Sequence, residues 1–397
     1  MNPLAFSPER LARLRSVLAG HVADGGVPGL VALVHRRGET HVEALGGMAL
    51  DGPPMRRDAL FRIASMSKPI AAAAAMVLVE ECRLRLDDPV DPWLPELANR
   101  RVLRSVASAL DDTVPAKRAI TLRDLLTFRL GMGAVLAPPG TYPIQAAQAA
   151  AGLSPGPDPS PLTPDEWMAR LGGLPLLHQP GEAWSYHTGS DVLGVLIARA
   201  SGQSLGAFLK ARLFDPLGMR DTGFSVPAAS VDRLVSCHRA DPATGALVAY
   251  DDRATSRWAQ TPAFESAGGG LVSTARDYLA FQRMMLDRGM GPHGRILSRA
   301  SVALMTTDQL TPAQKAGAEA FFGDHAGWGF GMAVVTARDN VFSPGRFGWD
   351  GGLGTTAHAD PAEDLAGVLL TTRMMDSPQP PKVFSDFWTL AYAAIGD

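Results

Sequence analysis

The sequence predicts an α+β fold in which an antiparallel sheet is flanked by helices and a mainly helical domain is inserted into it. Strand-like apolar segments lie near both ends of the chain, whereas the middle is helical and rich in proline. A length of 397 residues is enough for two such units. We therefore expect a discontinuous sheet domain over residues 1–85 and 255–397, and a helical inserted domain over residues 86–254.

The N-terminal part predicts a helix, a hairpin and a buried helix. The amphipathic start of the chain predicts a helix capped near Ser7. Residues 27–35 and 41–50 are apolar runs joined by a short turn, which is typical of a β-hairpin. Residues 59–65 are strand-like and lead into residues 68–81, which are apolar on all sides, as in a helix buried on every face.

The rest of the chain predicts helices first and strands later. Helical patterns cover residues 122–128, 165–174 and 190–202. The Pro-, Gly- and Ser-rich residues 137–164 predict one long loop. Three strands are expected at residues 327–337, 345–361 and 364–374, before a closing helix at the C-terminal end.

Composition and charge exclude several classes of function. The net charge of −3 gives no basic surface for nucleic acid, and no stretch is apolar for long enough to span a membrane. Two cysteines, Cys82 and Cys237, predict neither a disulfide framework nor a zinc site. Because the N-terminal residues are charged where a signal peptide needs its apolar stretch, we expect a cytoplasmic protein.

The strongest local signal is Ser65-Met66-Ser67-Lys68, at the start of the predicted buried helix. Lys68 is one of only five lysines, and side chains at i and i+3 share one face of a helix. A partly desolvated lysine has a lowered pKa, so Lys68 can accept the proton of Ser65 or stabilise a neighbouring oxyanion. The alternative is a serine N-cap beside an ordinary solvated lysine.

Two further segments supply candidate groups. Tyr186 precedes a predicted helix, and a tyrosine that faces a lysine can be held partly as phenolate and act as a general base, or return a proton to a leaving group. Trp349-Asp350-Gly351-Gly352 lies in a glycine-rich strand, where a substrate can approach the backbone closely. The N–H of Gly352 is a candidate for an oxyanion hole with the N–H of Ser65. Taken singly, each segment also fits ordinary packing or a tight turn.

Together the three signals resemble a known family. Ser-x-x-Lys, a tyrosine roughly 120 residues later and a glycine-rich strand near the C-terminus are similar to class C serine β-lactamases and D-Ala-D-Ala peptidases. The closer resemblance is to the family VIII carboxylesterases, which share that fold. It extends over nearly the whole chain, through FRIASMSKPI, PGEAWSYHTGSDVLGVLIARASG and SAGGGLVSTARDYLAF among other segments. The resemblance implies a β-lactamase/transpeptidase-like fold.

The resemblance also implies catalytic roles. Ser65 would be the nucleophile, Lys68 its activating partner and Tyr186 the tyrosine of the second motif. The oxyanion hole would be formed by the N–H groups of Ser65 and Gly352. The chemistry in this family needs neither a metal nor a cofactor.

The predicted substrate-binding residues depart from the lactamase pattern. They are Trp349, Asp350 and Gly351, at the positions of the Lys-Thr-Gly motif of lactamases and peptidases. A tryptophan cannot pair with the carboxylate of a β-lactam, but it offers an apolar wall to a neutral acyl or alcohol group. Thr188 stands where the lactamases have asparagine, and residues 128–131 read Phe-Arg-Leu-Gly where many relatives have His-Thr-Ser-Gly.

Three residues suggest other chemistry. Ser154 lies in a Gly-x-Ser-x-Gly sequence, the pattern of the α/β-hydrolase elbow, but without the strand–turn–helix context that the elbow requires. His187 and His358 suggest a Ser-His-Asp triad, yet neither belongs to a recognisable triad motif. We expect His187 to be a packing or rim residue.

The sequence therefore predicts a serine hydrolase that cleaves short-chain carboxylic esters through an acyl-enzyme on Ser65. Its partner would be a small-molecule ester, with no nucleic acid and no membrane, and the oligomeric state is left open. Three alternatives remain at this point. They are β-lactamase or D-Ala-D-Ala peptidase activity, acyl transfer to an alcohol acceptor, and a binding or scaffold protein that retains the fold.

Overall fold

The computed structural model of the chain describes residues 5–396. Its centre is a seven-stranded antiparallel sheet with strands from both ends of the chain. In chain order these strands are β1 (Gly29–Arg36), β2 (Glu39–Gly46), β3 (Ala326–Trp328), β4 (Ala333–Val335), β5 (Phe347–Gly351), β6 (Thr355–Asp360) and β7 (Leu365–Thr371). Their spatial order is β3-β4-β5-β6-β7-β1-β2, so the N-terminal hairpin extends a C-terminal meander.

The two ends of the chain meet where β1 pairs with β7. The pairing begins with Leu30 opposite Thr371 and runs to the end of β1. The predicted hairpin of β1 and β2 is confirmed, and Arg37 and Gly38 connect its strands. Both have positive φ (47° and 84°), as a two-residue type I′ turn requires.

Helices cover both faces of this sheet. The longer ones are α1 (Pro8–Ala23), α2 (Ser67–Glu80), α3 (Thr188–Ser201), α4 (Ala275–Leu286) and α5 (Lys382–Ala393). Side chains alternate along β1: Leu30 and Val34 pack into the apolar cluster under α1 and α5, while Val31 and Leu33 face the opposite cluster, which includes α4. Each face of the sheet is therefore buried.

Shorter elements complete the chain. The short helices are Leu122–Leu126, Pro143–Ala150, Pro164–Gly172, Leu205–Leu209, Asp215–Leu217, Arg299–Met305, Pro312–Lys315 and Glu319–Phe322. The short strand pairs are Phe61–Arg62 with Val272–Ser273, Arg101–Leu103 with Thr113–Pro115, Cys237–Ala240 with Leu247–Asp251, and Met290–Gly291 with Gly294–Arg295.

The helix that carries the Ser-x-x-Lys sequence is buried, as the sequence predicts. Residues 67–78 of α2 are all buried, because α2 is apolar around its whole circumference. It packs against α3, which follows Tyr186 in the chain. The contact between α2 and α3 brings together two segments that lie more than a hundred residues apart in the sequence.

Two predictions of local structure are wrong. Residues 327–337 and 345–361 each form two strands and not one, because Gly331 (φ 72°) and Gly354 (φ 90°) turn the chain within them. The predicted loop at residues 137–164 contains the helix Pro143–Ala150, which begins with proline and a capping box. The division into two domains stays a prediction, and one continuous apolar cluster contains residues from both proposed units.

Within residues 5–396, no single helix combines the length and the apolar character that a membrane span needs. The helical stretches 188–201 and 205–217, which bend by 77° at their junction, satisfy both criteria only when taken together.

Candidate active site

Ser65 lies in a tight turn between the strand Phe61–Arg62 and α2. Residues 64–66 form one turn of 3-10 helix, and Ala64 has a φ of 44°, a conformation that L residues rarely adopt. Strained backbone of this kind concentrates at functional sites. Ser65 remains partly exposed, whereas Ser67 is fully buried. The turn thus presents Ser65, and not its neighbour, to a substrate.

The amine of Lys68 lies next to the hydroxyl of Ser65. Nζ is 2.9 Å from Oγ of Ser65, 2.5 Å from the carbonyl oxygen of Gly268 and 3.3 Å from Nδ1 of His187. The side chain is only 1% exposed, and this burial lowers the pKa of Lys68 to about 7, against a smaller opposing effect of Asp191. A large share of Lys68 is therefore uncharged at neutral pH and able to accept a proton.

Tyr186 completes the predicted catalytic group. Its hydroxyl oxygen accepts a 2.7 Å hydrogen bond from Nε1–H of Trp349, and its interaction with Ser65 partly opposes the effect of burial on its pKa. Nζ of Lys68 lies 4.8 Å from the centre of the Tyr186 ring. Burial raises the pKa of Tyr186 to about 12, which favours the neutral hydroxyl over a phenolate in the resting enzyme. The neutral hydroxyl is suited to donate a proton.

Aromatic side chains surround Tyr186. Ring centres lie 5.5 Å away for Trp184, 5.2 Å for Phe321, 5.7 Å for Trp349 and 5.9 Å for Phe128. Phe128 stands where many relatives have histidine, and here its role is to pack edge-on against Tyr186. The group forms an apolar wall on one side of Ser65, where a neutral group of a substrate can pack.

The structure does not bring Asp350 to this wall. Adjacent side chains of a strand point to opposite faces, so Asp350 points away from the face that Trp349 shares with Tyr186. Oδ1 of Asp350 lies 3.0 Å from Nε2 of His358, whose ring packs edge-on against Trp388 of α5. Asp350 therefore pairs with His358 on the opposite face of β5, and its contact with a substrate stays a prediction.

The two glycines after Asp350 differ in their surroundings. A Cβ on Gly351 would come within 2.4 Å of the carbonyl oxygen of Ile63, so this position supports the turn before Ser65 by close backbone approach. A Cβ on Gly352 would meet no atom within 4 Å. In residues 5–396, no protein acceptor pairs with the N–H of either Ser65 or Gly352.

Of the two positions expected for His187, packing or rim, the structure shows a packed, buried side chain. It is 7% exposed, and its two ring nitrogens contact Lys68 and Asp191. Nε2 lies 3.2 Å from Oδ2 of Asp191, one helical turn further along α3. Burial and the charge of Lys68 both lower the pKa of His187, which keeps the ring neutral. The i, i+4 spacing of His187 and Asp191 is the sequence pattern that could have predicted their contact.

The other candidate groups lie outside the site. Ser154 is exposed in the loop after the helix Pro143–Ala150, and among residues 5–396 it has no histidine or acidic partner. His358 pairs with Asp350, and burial lowers its pKa to about 4. His187 faces a lysine and not a serine. The described part of the chain also contains no cluster of three or more His, Cys, Asp or Glu side chains that could hold a metal ion.

Comparison with known proteins decides the family. A family model described as Beta-lactamase matches residues 14–382. The chain belongs to the beta-lactamase family. An uncharacterized protein of Mycobacterium tuberculosis is 41% identical over 89% of this chain and 88% of its own length. Esterase EstB of Burkholderia gladioli is 32% identical over 94% of this chain and 93% of its own length.

A solved structure of the same fold supports this assignment. EstCE1, described as a hydrolase with promiscuous acyltransferase activity, has a TM-score of 0.81 at 26% identity and covers 97% of this chain and 99% of its own. The predicted β-lactamase/transpeptidase-like fold and the resemblance to the esterase branch are confirmed. The chain is thus a member of a serine hydrolase family with esterase and acyltransferase relatives.

Proposed function

We propose that this protein is a carboxylesterase that cleaves short-chain esters through an acyl-enzyme on Ser65. The observation that carries the proposal is the 2.9 Å contact between Ser65 and a buried lysine whose pKa lies near 7. A lysine with that pKa is a competent general base at neutral pH. Burial of the amine of Lys68 costs free energy, and a scaffold role gives no reason for that cost beside the partly exposed Ser65.

Acylation uses Lys68 and Tyr186 in complementary roles. Oγ of Ser65 attacks the ester carbonyl while its proton passes to Nζ of Lys68. The bond to the alcohol oxygen then breaks, and the hydroxyl of Tyr186 gives its proton to that oxygen. The acyl-enzyme now contains a Lys68 ammonium beside a Tyr186 phenolate, and the two opposite charges stabilise each other.

Deacylation reverses these transfers. The phenolate of Tyr186 takes a proton from water, whose oxygen attacks the acyl carbonyl. When the bond to Ser65 breaks, Lys68 returns its proton to Oγ. Each group regains its starting protonation state, so the cycle needs no further acid or base.

The tetrahedral intermediates require donors for their oxyanion. Among residues 5–396 the N–H groups of Ser65 and Gly352 have no protein acceptor, and Gly352 directly follows Gly351, which lies against the carbonyl of Ile63 just before the turn. We assign the oxyanion to this pair. Backbone donors fixed in advance stabilise developing charge without reorganisation.

The surroundings of Ser65 favour neutral esters over anionic substrates. Trp349, which packs among aromatic neighbours, occupies the position where lactamases have a lysine. β-Lactamase activity is accordingly expected to be weak. Acyl transfer to an alcohol is the second candidate, because the same aromatic wall can hold an alcohol in place of water, and EstCE1 is described with promiscuous acyltransferase activity.

Turnover of p-nitrophenyl butyrate by purified protein tests the proposal. Ser65→Ala is expected to abolish turnover, and Ser154→Ala, a matched change in the exposed loop, to leave it intact. Wild-type rates in Ser65→Ala would contradict the proposal, as would hydrolysis of nitrocefin that is faster than ester hydrolysis. Product analysis with added alcohol separates transfer from hydrolysis.

A further inference from the structure

We propose that His187, fixed in one tautomer by Asp191, orients the lone pair of Lys68 toward the hydroxyl of Ser65. The inference rests on the esterase mechanism proposed above and adds a positioning residue to it. Its basis is a continuous chain of polar contacts that runs from Asp191 through His187 to Lys68 and ends at Ser65.

The carboxylate of Asp191 determines which nitrogen of His187 carries the proton. Oδ1 of Asp191 already accepts hydrogen bonds from the hydroxyl of Ser266 (2.7 Å) and the N–H of Gly268 (2.9 Å). Oδ2 is left for Nε2 of His187 at 3.2 Å. Because a carboxylate can only accept, Nε2 must carry the proton of the neutral ring. Nδ1 is then an acceptor, and it faces Lys68.

The ionised state of Asp191 is itself secured by this arrangement. Burial alone would raise the pKa of Asp191, but the hydrogen bonds from His187, Ser266 and Gly268 outweigh burial and lower it. A Cβ on Gly268 would lie 3.0 Å from Oδ1 of Asp191 and 3.1 Å from Nε2 of His187. A glycine at this position allows the backbone to approach the pair closely.

The tautomer of His187 in turn directs Lys68. Within residues 5–396, three acceptors lie within hydrogen-bond distance of Nζ: Oγ of Ser65, Nδ1 of His187 and the carbonyl oxygen of Gly268. The ring nitrogen and the carbonyl oxygen can only accept, so they take both N–H bonds of the neutral amine. The remaining tetrahedral position holds the lone pair, which faces Ser65 and accepts its proton.

The three acceptors around Nζ also satisfy Lys68 after it has taken the proton of Ser65. When Oγ of Ser65 attacks the ester, its proton moves along the existing hydrogen bond to Nζ. The resulting ammonium has three N–H bonds, and the oxygen of Ser65, Nδ1 of His187 and the carbonyl of Gly268 accept all three. His187 and Asp191 keep their protonation states throughout, so they act by position and not as a proton relay.

The backbone at His187 is held in an unusual conformation that serves this contact. Its φ and ψ are 82° and −64°, and the N–H of Thr188 bonds to the carbonyl of Tyr186 at 3.3 Å. These angles define a γ-turn with positive φ, which is rare and strained. The turn directs two consecutive side chains to the same site. Tyr186 interacts with Ser65, and His187 contacts the amine of Lys68.

Asp191→Asn tests the tautomer. The amide oxygen is expected to keep the two donors, Ser266 and Gly268, so the NH2 group replaces Oδ2 and donates to Nε2 of His187. The ring proton then moves to Nδ1 and competes for the lone pair of Lys68. We expect kcat for p-nitrophenyl butyrate to fall about a hundredfold, the scale of a lost general base, with little change in KM.

Nitrogen-15 NMR of histidine-labelled protein reads the tautomer independently of activity. The His187 resonances are assigned by their loss in His187→Asn. The wild-type protein is expected to carry the proton on Nε2, and Asp191→Asn on Nδ1. The control is Asp386→Asn, which makes the same change in the remote pair of His21 and Asp386 (2.8 Å) and is expected to alter neither kcat nor the His187 tautomer.

A second pair of variants separates positioning from packing. His187→Asn places Oδ1 where Nδ1 lies, and asparagine tolerates positive φ, so it is expected to retain most of the wild-type kcat. His187→Ala removes the acceptor and is expected to lower kcat by about tenfold or more. Equal loss in both variants would assign His187 a merely structural role and overturn the inference.

Other results would also overturn it. They are a wild-type ring with its proton on Nδ1, an Asp191→Asn variant that loses activity without a change of tautomer, and an Asp191→Asn variant that changes tautomer but keeps wild-type kcat. If the wild-type protein hydrolyses no ester, the proposed function fails, while the NMR experiment still decides the tautomer of His187.

Discussion

The indole N–H of Trp349 donates a 2.7 Å hydrogen bond to the hydroxyl oxygen of Tyr186. This contact connects the strand β5 to the segment just before α3. Because the indole can only donate, it occupies a lone pair of the phenol oxygen and leaves the O–H of Tyr186 free to point at Ser65. Trp349, which replaces the lysine of the Lys-Thr-Gly motif, thus also orients Tyr186, the proposed proton donor.

Trp349→Phe is expected to lower kcat about fivefold, the effect of one lost hydrogen bond, with a smaller change in KM for p-nitrophenyl butyrate. The phenyl ring retains the apolar wall but cannot donate. Trp184→Phe is the matched control, since Trp184 also stacks on Tyr186 but its buried N–H has no partner among the described residues. Equal effects of the two changes on kcat would contradict this role of Trp349.

The pH dependence of kcat/KM should report Lys68. Only the neutral amine accepts a proton from Ser65, so activity is expected to rise about tenfold per pH unit below the pKa near 7 and to level off above it. The pKa values of Asp191 and His187 are lowered and that of Tyr186 is raised to about 12, so all three shift away from the pKa of Lys68.

Initial rates measured between about pH 5.5 and 8.5 check this profile. The unfolding temperature, recorded in the same buffers, controls for loss of the folded protein at low pH. A profile that is flat through neutrality, in protein that remains folded, would show that Lys68 is not the base.

Gly351 and Gly352 offer a matched pair of substitutions. Gly351→Ala places a Cβ against the carbonyl of Ile63 and is expected to destabilise the protein by about 1–3 kcal/mol, the cost of overpacking. Gly352→Ala meets open space and is expected to leave stability unchanged. Chemical denaturation of both variants measures the difference. Equal stability would show that β5 does not support the turn before Ser65 in this way.

A buried ion pair anchors the strand that leads to Ser65. The guanidinium of Arg62 is hydrogen-bonded to Asp251, to Ser256 (2.9 Å) and to the carbonyl of Val235 (2.6 Å). Asp251→Ala leaves this cation unpaired and is expected to destabilise the protein by about 3–5 kcal/mol. Asp58→Ala, which breaks an exposed pair with Arg56, is the control, and a comparable loss of stability there would contradict the argument.

Part of the proposed catalytic group follows from local sequence rules. Ser65 and Lys68 share one face of a helix by their spacing, and the apolar circumference of α2 implies the burial that lowers the pKa of the lysine. Tyr186 could be placed only through the family resemblance. No local pattern indicates that α2 and α3 pack together.

Other features of the site depend on tertiary contacts that the sequence does not show. Asp350 pairs with His358 on the face of β5 opposite to Trp349, as the period of a strand requires, and its contact with substrate stays a prediction. The contact of His187 with Lys68 could not be predicted, because only the tertiary fold creates it. The protonation of Tyr186 depends on burial by a wall whose aromatic residues come from three distant parts of the chain.

The most direct test of the account is to trap the acyl-enzyme. Protein mixed with p-nitrophenyl butyrate and quenched with acid within one turnover is digested, and its peptides are analysed by mass spectrometry. The account predicts a butyryl group on the peptide that contains Ser65, and no adduct in Ser65→Ala. A butyryl group on the peptide that contains Ser154, or ester turnover that persists in Ser65→Ala, would contradict it.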